Sequence, residues 1–365
     1  MSKAKILVVD DSVVVRKLVS DILNGEPDIE VVGTAANGKI CLQKVDIVNP
    51  DIITLDIEMP EMNGIEALTE LHAKYPKIKV IMFSAATEQG AAVTLSALQM
   101  GASDYVTKPS QVRSPQEARD QVRSDLVGKI RSLLNMPLPG EAHVDKLRAG
   151  LSRSVTLAKP AACGTGRYDI VCIGVSTGGP NALAEIIPKI PKDIGVPVVM
   201  VQHMPPMFTK ILSERLSAQG GLPVKEATDM MPLESNVIYL APGDFHMEVV
   251  RMAEGLFLRL NQEPHENSCR PAVDPLFRSV ASVFGSHVLG VILTGMGRDG
   301  CRGCEVIKEA GGEVIVQDQS SSVVWGMPGA VAEAGLASGV YPLSEIPAQI
   351  TTRIKRKNNL KNLLS

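Results

Sequence analysis

The stretch from Asp169 to Pro180, DIVCIGVSTGGP, carries an apolar segment of strand length straight into a serine set among glycines. An unbroken apolar run is what a parallel-sheet strand buried on both faces requires. The glycines that follow permit unusual backbone angles and close approach, so Ser176 is expected on a sharp strand-to-helix turn with its hydroxyl exposed. Gly174-Val175-Ser176-Thr177-Gly178 fits the G-x-S-x-G pattern. The amides beyond the serine open a helix whose positive end can stabilise an oxyanion. A phosphate-binding turn uses the same amides, and a plain N-cap serine needs only the hydroxyl. The pentapeptide alone does not choose among the three.

Outward from this turn the pattern repeats. VPVVMVQ, NVIYLA, VLGVILTG and EVIVQ are further strand-length runs between helical segments, and HMEVVRMAEGLFLRL reads as a hairpin turning at AEG. The alternation predicts a parallel sheet flanked by helices, with an antiparallel insertion. Toward the N-terminus KILVVD, EVVGTA, DIITLD, KVIMFS and DYVTK predict a second, five-stranded parallel sheet. A helical pattern from Ser114 to Asn135 ends at NMPLPGEAH, where prolines and a glycine interrupt it. The expected domains are residues 1–134 and 167–365, joined by a linker over 135–166.

Bulk properties agree with two soluble α/β cores. A length of 365 residues exceeds what one core usually holds, and 45% hydrophobic with 21% charged residues is too apolar for a disordered chain. The net charge of -3 gives no general attraction for nucleic acid, so no DNA partner is expected. The basic run Arg353 to Lys357 reads as the solvated end of a last helix. The apolar runs fall far short of the ~20 residues of a bilayer span. Neither a signal peptide nor membrane insertion is expected, and the predicted location is cytoplasmic. Six scattered cysteines suggest no disulfide framework, and Cys301-Arg-Gly-Cys304 lacks a second ligand pair, so both read as helix cysteines.

Asp10 and Asp11 end the first strand and Asp56 ends the third. In a parallel sheet these C-terminal ends share one edge, where α/β ligands bind. Three acids in one crevice repel unless a cation neutralises them, and carboxylate oxygens suit Mg²⁺ with a phosphate sharing its remaining positions. Ser84 after the fourth strand and Lys108 after the fifth add a hydroxyl and an ammonium for an anion. Any one acid alone could be a helix cap, as Asp11 or Ser12 could be. Five suitable residues along one edge point to a site.

The motifs VVDDS, LDIEMPEMNG, FSA and DYVTKP resemble the receiver domain of two-component response regulators over about residues 3–130. The resemblance implies that Asp56 accepts a phosphoryl group from a histidine kinase. It further implies that Asp11, Asp56 and the Glu58 carbonyl hold Mg²⁺ with support from Asp10, that Ser84 and Lys108 contact the phosphoryl oxygens, and that Tyr105 is the switch aromatic.

In the second half, Ser176 needs a base. His72 and His143 lie outside this domain, and His287 starts a strand at the wrong edge; His246 and His265 flank the hairpin and remain candidates. His203 ends the strand one βα unit after Ser176 and faces the same edge, which makes it the best base. The glycine-rich loop LTGMGRDG carries Asp299 to that edge as orienting acid; Asp244, Asp274 and Asp318 compete, and a helix cap is the plainer alternative for Asp299. The order Ser, His, Asp differs from that of α/β-hydrolases.

IGVSTGGP, VQHMPPMFT, YLAPGD and LTGMGRDG are similar to the catalytic domain of the chemotaxis protein-glutamate methylesterases, the CheB family, whose architecture is a receiver plus this domain. The fold class implied is α/β: two doubly wound parallel-sheet domains, an N-terminal flavodoxin-like receiver and a C-terminal serine hydrolase domain with an antiparallel hairpin insertion. The similarity implies Ser176 as nucleophile, His203 as general base, Asp299 as its partner, and the Met296 and Thr177 amides as oxyanion donors. Val175 stands where the family more often has alanine. The reaction implied is hydrolysis of glutamyl methyl esters on the cytoplasmic helices of methylated chemoreceptors to glutamate and methanol, with glutamine deamidation in some members. A chemotaxis histidine kinase is the implied partner of the receiver, Mg²⁺ its cofactor, and the esterase step needs none. A non-catalytic phosphate- or protein-binding output domain is the rival reading. Phosphorylation at Asp56 is expected to relieve shielding of the Ser176 edge.

Overall fold

The computed structural model describes residues 3–85, 87–108, 114–136 and 168–355. The chain divides into two compact units, Met1–Leu151 and Ser152–Ser365. Most of the expected linker, and the basic residues Arg356 and Lys357, lie outside the described residues.

The first unit runs β1 (Ala4–Val9), α1 (Val13–Asn24), β2 (Ile29–Ala35), α2 (Gly38–Val48), β3 (Ile52–Asp56), α3 (Gly64–Lys74), β4 (Lys79–Ser84), α4 (Glu88–Gln99), β5 (Asp104–Thr107) and α5 (Pro115–Leu133). Its strands pair in parallel in the order β2-β1-β3-β4-β5. Ile6, Ile52, Ile53, Leu55, Ile81 and Met82 are fully buried, as a sheet covered on both faces demands. Each helix opens on a residue whose side chain accepts from the first turn: Ser12, Asn37, Asn63, Thr87 and Ser114. Ser12, not Asp11, is therefore the cap of α1, which leaves Asp11 free for the crevice.

The second unit runs β6 (Ile170–Val175), α6 (Gly179–Ile186), β7 (Val198–Gln202), α7 (Phe208–Ala218), β8 (Val224–Glu226), β9 (Met231–Pro232), β10 (Ile238–Leu240), β11 (His246–Met252) and β12 (Gly255–Asn261). It continues through α8 (Val273–Phe284), β13 (Val288–Ile292), α9 (Cys301–Glu309), β14 (Glu313–Gln317), α10 (Gly326–Glu333), β15 (Gly339–Tyr341) and α11 (Ile346–Lys355). The main sheet is parallel in the order β15-β14-β13-β6-β7-β10-β8. The chain thus departs from β6 to both sides, reaching β8 at one edge before returning to β10, and the β6/β13 boundary is the point where strand order reverses and a crevice opens. Ser176 leaves β6 at that crevice.

The predicted hairpin is β11–β12, closed by Ala253 and Glu254, and the short strand β9 extends it to an antiparallel sheet of three. Cys301 and Cys304 lie in α9 as unpaired cysteines, Cys304 buried. No helix among the described residues is long and apolar enough to cross a membrane.

Candidate functional site

In the first unit, Asp10, Asp11 and Asp56 offer carboxylate oxygens within 4.8 Å of one another. Asp10 and Asp56 are 2% and 3% exposed, whereas Asp11 is open to solvent. The Lys108 ammonium pairs with Asp56 Oδ2 at 2.8 Å and Asp10 Oδ2 at 3.0 Å. These two oxygens are buried and have no well-directed hydrogen bond, only the ammonium. Burial pushes Asp56 up to about 6, Lys108 opposes that rise, and Asp10 adds to it. Two buried, under-satisfied acids beside an exposed third are a donor set that fits a hard divalent cation.

The chain reaches this geometry through close packing. A Cβ on Gly64 would lie 2.0 Å from the Asp56 carbonyl oxygen, so only glycine lets the α3 start pack against the end of β3. Glu58, Asn63 and Met59 line a cleft of about 630 Å³ beside Asp11.

Ser84 lies apart from the acids in its side-chain contacts. Its hydroxyl is held by Thr94 Oγ1 at 2.6 Å and by the Gly90 carbonyl at 3.2 Å. Tyr105 is buried, its hydroxyl pushed well above the usual range by that burial, and Lys129 Nζ stands 4.7 Å from its ring centre.

In the second unit, His203 Nε2 lies 2.7 Å from Asp299 Oδ2, joining the loops after β7 and β13 on either side of β6. The Ser176 amide donates to the Thr294 carbonyl at 3.0 Å, and the His203 amide to the Val175 carbonyl at 3.3 Å. Gln202 Nε2 donates to the carbonyls of Ser176 at 3.0 Å and His203 at 3.3 Å, which locks the two loops together. Among the described residues no hydrogen bond joins the Ser176 hydroxyl to the imidazole, a looseness common in ligand-free catalytic sites.

The glycines around Ser176 do two jobs. Gly178 takes φ +77, the left-handed conformation that begins α6. Gly179 and Gly295 serve close approach: a Cβ would meet Gln202 Oε1 at 1.9 Å in the first and Ser176 Cβ at 2.9 Å in the second.

Asp299 is 2% exposed and surrounded by donors. Oδ2 accepts from the Val273 amide at 2.6 Å, and Oδ1 from the amides of Gly300 at 3.0 Å and Asp274 at 3.2 Å and from Asn267 Nδ2 at 2.8 Å. Its contacts with the Val273 and Asp274 amides satisfy the start of α8 from outside that helix, whereas α9, the helix that follows its own loop, has Gly300 at its N-cap and no side-chain cap. Burial would raise its pKa, but His203 and the α8 amides outweigh that and hold it below the usual carboxylate range. Burial likewise works against a charged His203, but the neighbouring Cys269 and Asp299 carry its pKa above the ordinary imidazole range.

The competing candidates are engaged elsewhere. His246 is buried with Nε2 at 3.1 Å from the Pro264 carbonyl and Nδ1 accepting from the Ala272 amide at 3.2 Å. His287 pairs with Asp169 at 3.0 Å at the opposite sheet edge, and His265 is exposed. Asp244 pairs with Arg270 at 2.6 Å, and Asp318 accepts from Ser320 and Ser321. Asn267, Gln202 and Cys269 went unnoticed in the sequence. Their contacts are to side chains and carbonyls that no spacing rule connects.

A phosphoacceptor-type acidic crevice in one α/β unit, and a serine, histidine and aspartate at the switch point of another, define a response regulator with a hydrolase output unit. Residues 6–118 match the response regulator receiver domain, and residues 171–350 match the CheB methylesterase domain. A protein-glutamate methylesterase/protein-glutamine glutaminase of a Nocardioides species is 50% identical over 98% of this chain and 97% of its own. One from Trichodesmium erythraeum is 48% identical over 97% of this chain and its full length. The crystal structure of the Thermotoga maritima CheB methylesterase catalytic domain is 44% identical, covers 51% of this chain and 98% of its own, and superposes with a TM-score of 0.50. The chain belongs to the CheB methylesterase family.

Proposed function

We propose that the chain is a phosphorylation-regulated protein-glutamate methylesterase acting on chemoreceptor cytoplasmic helices, with Ser176 as nucleophile, His203 as base and Asp299 as its orienting partner. The observation that carries the assignment is the 2.7 Å contact between His203 and Asp299, which unites loops from the two strands flanking the one that delivers Ser176. With Nε2 engaged by Asp299, proton transfer from Ser176 falls to Nδ1. Ser176 Oγ attacks the glutamyl ester carbonyl as His203 takes its proton, and the Met296 and Thr177 amides receive the oxyanion. Collapse expels methanol, protonated by His203, and leaves an acyl-enzyme. Water, deprotonated by His203, then hydrolyses it to glutamate. Glutamine in the same position loses ammonia by the same path. No cofactor enters this chemistry.

In the receiver, Asp56 is the phosphoacceptor for a chemotaxis histidine kinase. Mg²⁺ would be held by Asp11, Asp56 and the Glu58 carbonyl, with Asp10 in support, and supplies charge neutralisation for phosphoryl transfer. Lys108 would exchange its present carboxylates for the phosphoryl oxygens, and Ser84 and Tyr105 would respond to the new charge. The unit boundaries 134/135 and 166/167, and a cytoplasmic location, belong to the same reading. The test is methanol release from methylated receptor membranes, with and without a small phosphodonor and Mg²⁺. Release that requires Ser176 and rises with the phosphodonor supports it; release indifferent to both opposes it.

A further inference from the structure

Residues Glu266 to Cys269 form a two-residue turn, closed by Glu266 N to Cys269 O at 3.1 Å and Cys269 N to Glu266 O at 2.9 Å. Its central residues, Asn267 and Ser268, have φ of 51 and 63. Asparagine tolerates that left-handed conformation better than most residues. The turn is moored to α8 by a two-pronged ion pair, Glu266 to Arg278, with both contacts at 2.7 Å.

Asn267 is exposed, yet its amide nitrogen points inward at two of the most buried acids in the unit. Nδ2 lies 2.8 Å from Asp299 Oδ1 and 2.9 Å from Asp274 Oδ2. Asp274 is 1% exposed, and its other oxygen accepts from the Gly303 amide at 2.6 Å. With a carboxylate on each side, only the NH₂ group of the asparagine can face inward. It donates once to each acid and adds no charge. Burial and the nearby Asp299 hold Asp274 above the usual carboxylate range, while Asp299 lies below it.

We propose that Asn267 is a positioning residue for the esterase reaction, fixing the rotation of the Asp299 carboxylate so that Oδ2 faces His203 and separating it from the rival acid Asp274. The same turn carries Cys269, which acts electrostatically on the imidazole. The inference rests on the reading of Asp299 as the partner of His203. It explains why an irregular loop follows the hairpin at this point: an acidic brace would add to the repulsion of two buried acids, and an apolar one would take a donor from each.

The test is a double-mutant cycle on the full chain, with methanol release from methylated receptor membranes as readout. Asn267→Gly keeps the left-handed turn and removes the amide, and should lower kcat by about 10- to 100-fold with KM little changed. Asn267→Asp keeps the shape and the backbone preference, and should lose a similar factor because an acid replaces the donor. In an Asp299→Ala background, Asn267→Gly should cost less than about twofold, since its effect passes through the missing carboxylate. Either Asn267 variant with the parent kcat would overturn the proposal. So would an equal loss in both backgrounds, which marks a merely structural role. Full activity in Asp299→Ala alone would instead remove the triad reading on which the proposal stands.

Discussion

The Thr94 hydroxyl on α4 lies 2.6 Å from Ser84 Oγ, and neither side chain reaches solvent. In its proposed role, contact with a phosphoryl group on Asp56, Ser84 would have to leave this partner. Thr94→Val removes the hydroxyl at constant shape, releasing a bond worth about 1 kcal/mol. The expected result is about fivefold tighter binding of beryllofluoride with Mg²⁺, measured by fluorescence or calorimetric titration. Equal or weaker binding contradicts the latch.

Asp56 links charge to stability. Its carboxyl ionises at about 6 in the folded unit against 3.8 as an ordinary aspartate, so between these values the folded state holds a proton the unfolded chain has released. Receiver stability contributed by this group is therefore intact below pH 3.8 and falls as pH rises through about 6. Asp56→Asn should raise metal-free stability at neutral pH by roughly 1–2 kcal/mol, the shift being discounted for solvent screening. Mg²⁺ should stabilise the parent and not the variant. Denaturation at pH 4 and pH 7.5 with and without Mg²⁺ checks both signs, and a variant less stable at pH 7.5 would oppose the account.

As the proposed base, His203 sets the acid limb of the esterase. Its raised pKa means that the folded protein keeps the ring protonated to higher pH than the unfolded chain does. The stability it contributes is complete below about 6.5 and is lost as pH rises through the folded value. Catalysis needs the neutral ring, so kcat/KM should climb with pH to a midpoint above 6.5. Asp299→Asn should shift the midpoint down and lower kcat by roughly 10³- to 10⁴-fold. An unmoved midpoint would show that the pair does not govern the ring.

Much of this arrangement was legible because fully buried parallel strands leave unbroken apolar runs such as VVMVQ and VLGVI. Chemistry then had to gather at their C-terminal ends, which pointed to Asp10, Asp56, Ser176, His203 and Asp299. The strands β8, β9 and β15 were missed because two or three residues at a sheet edge carry no period. Asn267 was hidden for a different reason. Its turn lacks the Asn-Gly signal, and its partners lie seven and 32 residues away on other elements. Thr94 likewise reads as an ordinary mid-helix residue until α4 is laid against Ser84.

The central claim is that Ser176 forms the acyl-enzyme. The direct measurement is methanol release from methylated receptor membranes by the parent and by Ser176→Ala, each with phosphodonor and Mg²⁺. The account predicts a loss of at least ~10³-fold with the fold intact. Release by the Ser176→Ala protein at a rate near that of the parent would contradict it.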